Sequence, residues 1–508
     1  MSNHLFDGLF LDVHDEADLA RLPNGQIKTY QDAKDQSAKL AHALVERGVK
    51  TGDRVAVQVP KTLEAVFLYL ACVRVGAIFL PLNTAYTSAE VSYFLEDAQV
   101  RLFVCDPKDH ESAAVLTEKI GAQVETMGTA GEDGVAQGSL VKASAECSTK
   151  FENARMRADD LAAILYTSGT TGRSKGAMLS HDNLLSNAEA LVDLWQFSRD
   201  DVLLHALPIF HTHGLFVATN VVILSGASMI FQPGFNVDDL IENFANATAL
   251  MGVPTFYTRL LDDERFTKEL VAHMRLFVSG SAPLLAETHV QFEKRTGHRV
   301  LERYGMTETN MNTSNPYDGE RRAGTVGFPL PGVDVRICDA DTGKPVASGE
   351  IGVIEVTGPN VFKGYWNMPE KTAEEFRDDG YFITGDLGTV DADGYVQIVG
   401  RSKDLIISGG YNIYPKEIEL ALDESDGVLE SAVVGVPHAD FGEAVVAVIV
   451  PEGDQCDLAK MKDDITSNIA RFKQPKHYHL MEELPRNTMG KVQKNVLRDM
   501  LKSTFVKS

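Results

Sequence analysis

The sequence predicts an α/β fold, with a large N-terminal domain of wound α/β subdomains that carries a small β subdomain, and a small α+β C-terminal domain. Three observations lead there. At 508 residues the chain exceeds what one hydrophobic core organises. Up to about residue 330, short apolar runs alternate with amphipathic stretches, the pattern of strands and helices wound around largely parallel sheets. From Val333 to about Val399 the texture changes to short alternating strands broken by Gly, Asp and Pro, and beyond it a mixed helix and strand pattern resumes. These shifts place an N-terminal domain at 1–400, a connecting segment at 401–405 and a C-terminal domain at 406–508.

The elements follow in order. RVAVQV and RLFVC read as strands, and KTLEAVFLYLACVRV between them as a buried helix. Its apolar run, Ala65 to Leu82, is interrupted by Arg74, Gly76 and Pro81, so a helix followed by a strand is favoured over a membrane span. LAAILYT and ALMGVP are further strands, and TFYTRLLDD is an amphipathic helix. In GTVDADGYVQIVG the Ala-Asp-Gly turn predicts a hairpin. Pro415 opens the helix KEIELAL, ESAVVGV and AVVAVIVP are strands, and DLAKMKDDITSNIARF is an amphipathic helix.

Composition narrows the function. Hydrophobic residues at 44% and charged residues at 24% belong to an ordinary globular enzyme. The formal charge of -24 disfavours nucleic acid or an anionic membrane surface as the main partner. Any site for an anionic ligand must therefore gather Lys, Arg and backbone N–H groups against the global sign. The five cysteines, Cys72, Cys105, Cys147, Cys338 and Cys456, are far apart and lack metal-site spacing, which predicts a reducing compartment and no structural zinc. The first twenty residues are acidic where a secretory signal would be basic, so the cytoplasm is expected.

The segment from Tyr166 to His181, YTSGTTGRSKGAMLSH, follows an apolar strand and consists of small residues leading to a lysine. Its N–H groups and hydroxyls can wrap an anion without steric interference, which reads as a phosphate loop, although the composition also suits a plain surface loop. The Walker A spacing cannot be fitted to Gly169, Gly172, Lys175 and Gly176, so a P-loop kinase or GTPase is disfavoured.

With this loop stand LPIFHTHG (207–214), SGSAPL (279–284), RYGMTET (303–309), YFITGDLG (381–388), GRSKDLIISGGYNIYP (400–415) and PRNTMGKV (485–492). In that order the set resembles the adenylate-forming superfamily of acyl-CoA synthetases, luciferases and peptide-synthetase adenylation domains. The resemblance implies a mobile C-terminal domain, ATP and Mg²⁺, and coenzyme A as co-substrate. It implies that Thr167, Ser168, Gly169, Thr170, Thr171 and Gly172, with Lys175, handle the β- and γ-phosphates. Glu308 would help hold Mg²⁺, a hard ion suited to oxygen ligands. Thr307 would meet the α-phosphate, Tyr304 would stack on adenine beside Gly305, and Ser281 with Ala282 would form the adenine edge.

Asp386 and Arg401 resemble the ribose contacts, although Asp386 alone would read as a turn residue. His211, which alone reads as a core histidine, would lie near the mouth of the pantetheine path. By the same resemblance Lys491 enters the site for adenylation, where a cation is needed because a carboxylate attacks a phosphate. Rotation about Lys403 would then replace it by Gly409 and Gly410 along the thiol path. Lys491 is also a candidate for a lysine acetyltransferase, which would remove its charge.

Arg259 bears on the acid. GVPTFYTRLL resembles malonyl-CoA and methylmalonyl-CoA synthetases, in which this arginine binds the carboxylate that does not react, with Ser281 and Met306 as neighbours. A surface arginine on a helix is the plain alternative. The implied reaction is AMP-forming ligation of malonate or methylmalonate to CoA. Short- or medium-chain fatty acids, aryl acids and loading of a carrier protein are the alternatives. A silent homologue is disfavoured because Lys175, Glu308, Asp386, Arg401 and Lys491 are all present.

Overall fold

The computed structural model describes residues 2–129, 136–167, 174–408, 411–438, 441–453, 457–487 and 490–505. It divides into two compact units, one formed by 1–335 with 356–382 and the other by 336–355 with 383–508.

The first unit is built on two sheets. In the six-stranded sheet the order is Gln123–Thr126, Leu102–Cys105, Arg54–Gln58, Ile78–Pro81, Leu161–Thr167 and Lys175–Ser180. All neighbours are parallel except the last pair, which is a hairpin. The nine-stranded sheet runs from Phe328–Pro329 through Asn310–Ser314, Leu301–Met306, Leu276–Ser279, Ala249–Gly252, Val202–His205, Ser228–Phe231 and Asp18–Arg21 to Ile27–Thr29. Strands such as Leu102–Cys105 and Leu276–Ser279 are buried at every position, as parallel strands covered on both faces must be.

The expected buried helix spans Leu63–Val75. The Thr62 side chain caps its first turn, left-handed Gly76 ends it, and every residue in it except Glu64 is buried. Among the described residues no helix is long and apolar enough to cross a membrane. Less expected is a π-helical turn, His213–Thr219, running directly into the helix Asn220–Ser225. Wide turns of this kind are costly and concentrate at functional sites.

In the second unit the strands Phe382–Val390 and Val396–Arg401 form the expected hairpin. Past the single turn Ser402–Asp404, a five-stranded sheet combines Tyr411–Ile413, Ile406–Ser408, Gly442–Pro451 and Val428–His438, with His477–Leu480 added in parallel. One face of this sheet packs Ile418, Leu422, Met461 and Ile465, and the other packs Leu484, Leu497 and Leu501. The second unit takes in the hairpin that precedes residue 401, and the helix Pro415–Asp423 packs on Val396–Arg401.

Candidate active site

The phosphate-loop segment closes the Leu161–Thr167/Lys175–Ser180 hairpin, with Thr167 and Lys175 as register partners. Ser168, Gly169, Thr170, Thr171 and Gly172 lie outside the described residues. Lys175 has two partners. Its Nζ is 2.9 Å from Glu375 Oε1 and 4.0 Å from the centre of the Tyr365 ring. The Tyr365 hydroxyl lies 2.6 Å from Glu375 Oε2 and 3.1 Å from Glu308 Oε1, so one proton faces two carboxylates. Burial and then the two carboxylates push the Tyr365 pKa up, so the hydroxyl stays protonated. Burial alone would raise the Glu375 carboxyl, but hydrogen bonds from Tyr365 and Lys175 outweigh it and hold the pKa below its ordinary value.

Tyr365 is placed by backbone. The segment 363–366 runs along the outer edge of Lys175–Ser180, with Lys363 N–H donating to Met178 O, Met178 N–H to Gly364 O and Trp366 N–H to Gly176 O. Asn183, the capping-box residue of the helix His181–Leu194, also donates to Pro359 O and Val361 O. Glu308 is buried on the turn after Leu301–Met306, and its carbonyl accepts from Phe362 N–H. Within that strand a bulge falls between Tyr304 and Gly305, and a Cβ on Gly305 would lie 1.8 Å from the Asn310 carbonyl oxygen. Only glycine allows that approach. Tyr304, Met306 and Thr307 are half-buried there, and Ala282 is half-buried beside Ser281.

A second cluster joins three motifs. Ser281 adopts a left-handed conformation with φ of 71°, and its Oγ is 3.2 Å from His213 Nδ1 on the π-helical turn. Beside them Arg303 is 4% exposed. Arg303 Nε and Nη2, His213 Nε2, Ser279 Oγ and Thr212 Oγ1 are all buried without a hydrogen-bond partner among the described residues. Burial lowers the Arg303 pKa to about 9, and burial followed by the nearby Arg303 charge holds His213 well below its ordinary value. Gly280 makes room for this guanidinium, since a Cβ there would lie 2.3 Å from Arg303 Cζ. Orphaned buried donors in such density suit an anion with several acceptor oxygens.

His211 is half-buried and its ring faces the His213 N–H at 3.4 Å. Pro208, Ile209 and Phe210, just before it, line a cavity of about 310 Å³ with Phe235 and Phe256. Arg259 stands on the exposed side of the helix Pro254–Leu261, its guanidinium 5.8 Å from the Phe235 ring centre. Arg303 is a second guanidinium, buried, with hydrogen bonds unmade among the described residues.

In the second unit Asp386 and Arg401 are cross-strand partners, with Arg401 Nε 2.8 Å from a buried Asp386 oxygen. Lys403 is exposed on the turn Ser402–Asp404, and Asp404 is anchored to Arg498 at 2.9 Å. Lys491 is exposed on a tight turn in which its N–H donates to Asn487 Oδ1 and its carbonyl accepts from Asn487 N–H. Gly409 and Gly410 lie outside the described residues.

Residues 13–366 match the AMP-binding enzyme family, and residues 417–491 match the AMP-binding enzyme C-terminal domain. The chain belongs to this family of enzymes. It is 36% identical to a malonate–CoA ligase of Arabidopsis thaliana over 90% of this chain and 79% of that one. A long-chain-fatty-acid–CoA ligase of Bacillus subtilis is 33% identical over 92% and 89%. Among solved structures, ATP-bound MatB from Rhodopseudomonas palustris superposes with a TM-score of 0.96 at 57% identity, covering 99% of this chain and 100% of that one.

The residues present fit the magnesium ion that ATP chemistry implies. Glu308 supplies one buried carboxylate. That suits an ion held by one or two carboxylates plus substrate phosphates and water, rather than an all-protein cage.

Proposed function

We propose that this protein joins malonate, or its methyl-branched homologue, to coenzyme A in two steps driven by ATP. First a carboxylate oxygen of the acid attacks the α-phosphorus, the bond to pyrophosphate breaks and an acyl-adenylate forms. Then the thiol sulfur attacks the acyl carbon, the bond from that carbon to the AMP oxygen breaks, and thioester and AMP leave. The names of the malonate–CoA ligase relatives support this acid.

The observation that carries the dicarboxylate is Arg303, a buried cation whose Nε and Nη2 hydrogens lack partners, beside His213 and Ser281. A second carboxylate completes these donors, whereas a hydrocarbon tail leaves them unpaired. Arg259, exposed beside a cavity-lining phenylalanine, acts at the rim by drawing dianions in, and Met306 borders the acid.

The loop 167–172 and Lys175 receive the β- and γ-phosphates, and Thr307 meets the α-phosphate. Tyr304 stacks on adenine, whose edge meets Ser281, Ala282 and Gly305, while Asp386 and Arg401 hold the ribose. Glu308 would hold magnesium, which supplies positive charge to the departing pyrophosphate. Lys491 offsets the meeting of two anions in the first step. Pivoting at Lys403 then brings Gly409 and Gly410 to the thiol path, whose mouth His211 borders.

The four described cysteines are free, which supports a reducing compartment, and we place the enzyme in the cytoplasm. Lys491, exposed on its turn, is a substrate for a lysine acetyltransferase whose action would stop adenylation.

The test is AMP release from ATP with CoA across mono- and dicarboxylic acids. Malonate or methylmalonate should exceed acetate, butyrate and benzoate by at least tenfold in kcat/KM, and equal use of butyrate would overturn the acid assignment. A finer check lies at Gly280. The three atoms nearest an added Cβ in Gly280→Ala all belong to the Arg303 guanidinium, a side-chain end rather than backbone, so the variant should fold with thermal stability lowered by roughly a few degrees. Displacing the guanidinium should nevertheless raise KM for malonate about tenfold, leaving KM for ATP unchanged.

A further inference from the structure

Lys175 carries a charge that the nucleotide needs, yet it is already occupied. Its partner Glu375 lies two hundred residues away in the chain, and both side chains are about four-fifths buried. The geometry lets this pair part at low cost. Glu375 has two other partners, the Tyr365 hydroxyl at 2.6 Å and Lys371 Nζ at 3.2 Å, which it need not lose when Lys175 leaves, and Lys175 also lies over the face of Tyr365. Neither charge is stranded, unlike an ordinary buried ion pair, in which separation leaves a naked ion.

We propose that Glu375 is a built-in competitor of the ATP phosphates, an internal carboxylate that holds Lys175 in the free enzyme, yields it to entering nucleotide and reclaims it as pyrophosphate leaves. The proposal rests on Lys175 being the phosphate-handling lysine. An internal ligand that must be displaced lowers the fraction of competent enzyme, and the apparent affinity falls by the same factor. Once displaced, the Glu375 carboxylate stays within reach of the lysine and adds repulsion against the phosphates, which favours release of pyrophosphate. Glu375 therefore limits how tightly the nucleotide and its product can bind. It positions Lys175 and touches no reacting atom.

The test uses the full-length enzyme and compares Glu375→Gln with Glu374→Gln. The second variant removes an equal charge one residue away, where the carboxylate pairs with Lys371. Glu375→Gln should lower KM for ATP and the inhibition constant of pyrophosphate by about three- to tenfold, the factor by which displacing the internal carboxylate reduces apparent affinity, without raising kcat. Glu374→Gln should change neither constant, and in Lys175→Ala the added Glu375→Gln should have a clearly smaller effect than in the wild type, because only the direct repulsion remains to be relieved.

An unchanged or raised KM for ATP in Glu375→Gln, with Lys175→Ala weakening ATP, overturns the proposal and leaves the reading of Lys175 intact. If Lys175→Ala leaves KM for ATP unchanged, the reading of Lys175 fails and the proposal fails with it.

Discussion

Lys491→Ala should form malonyl-adenylate about 10²–10³-fold more slowly than the wild type, the usual loss when one preorganised donor is removed, and should still convert preformed adenylate to thioester at nearly the normal rate. The side chain is exposed on a turn closed by its own backbone contacts with Asn487. Truncation therefore removes a charge without opening a core, and stability should be unaffected. Pyrophosphate–ATP exchange driven by malonate measures the first step, and thioester formation from synthetic malonyl-adenylate measures the second. Equal losses in both would show that Lys491 serves the site as a whole and would remove the reason for a second conformation.

Arg303→Met changes which acid is used. A unit-charge pair about 4 Å apart is worth about 4 kcal/mol at an effective dielectric near 20, an upper scale of roughly a thousandfold in kcat/KM for malonate. The wild-type enzyme has already desolvated this guanidinium in folding, so less of the gain is lost on binding than for an exposed arginine. Methionine fills the space with an apolar chain, so butyrate should be used better than by the wild type. Removing an uncompensated buried charge should leave the melting temperature unchanged or raise it.

Arg259→Leu, at an exposed and screened position, should cost malonate only a few-fold. If instead Arg259→Leu abolishes the malonate preference and Arg303→Met retains it, the selecting cation is the exposed one.

Much of the scaffold was legible because local pattern decides it. The fully buried helix after Thr62, the hairpin 382–401 and the Val428–His438 and Gly442–Pro451 strands all follow from apolar periodicity and turn residues. Arg303 shows where such reading stops. It opens the motif RYGMTET, but nothing local tells that its side chain turns inward, because the room for it comes from the missing Cβ of Gly280, just past the neighbouring strand Leu276–Ser279. His213 was likewise hidden inside an apolar run, and its π-helical turn has no simple periodicity to betray it. Lys175 and Glu375 meet across two hundred residues, and only the segment 363–366 brings them together.

That segment has another consequence. Lys175–Ser180 is the last strand of its sheet, and a bare outer edge of this kind offers unpaired N–H and C=O groups to other chains. The hydrogen bonds with Lys363, Gly364 and Trp366 cover it, and the same bonds hold the Tyr365 hydroxyl between Glu308 and Glu375. Solubility and nucleotide handling thus share one short stretch of backbone. A proline at 366, which deletes the N–H donated to Gly176, should expose the edge to self-association and misplace the tyrosine together. Variants selected there for activity alone would be screened for resistance to aggregation as well.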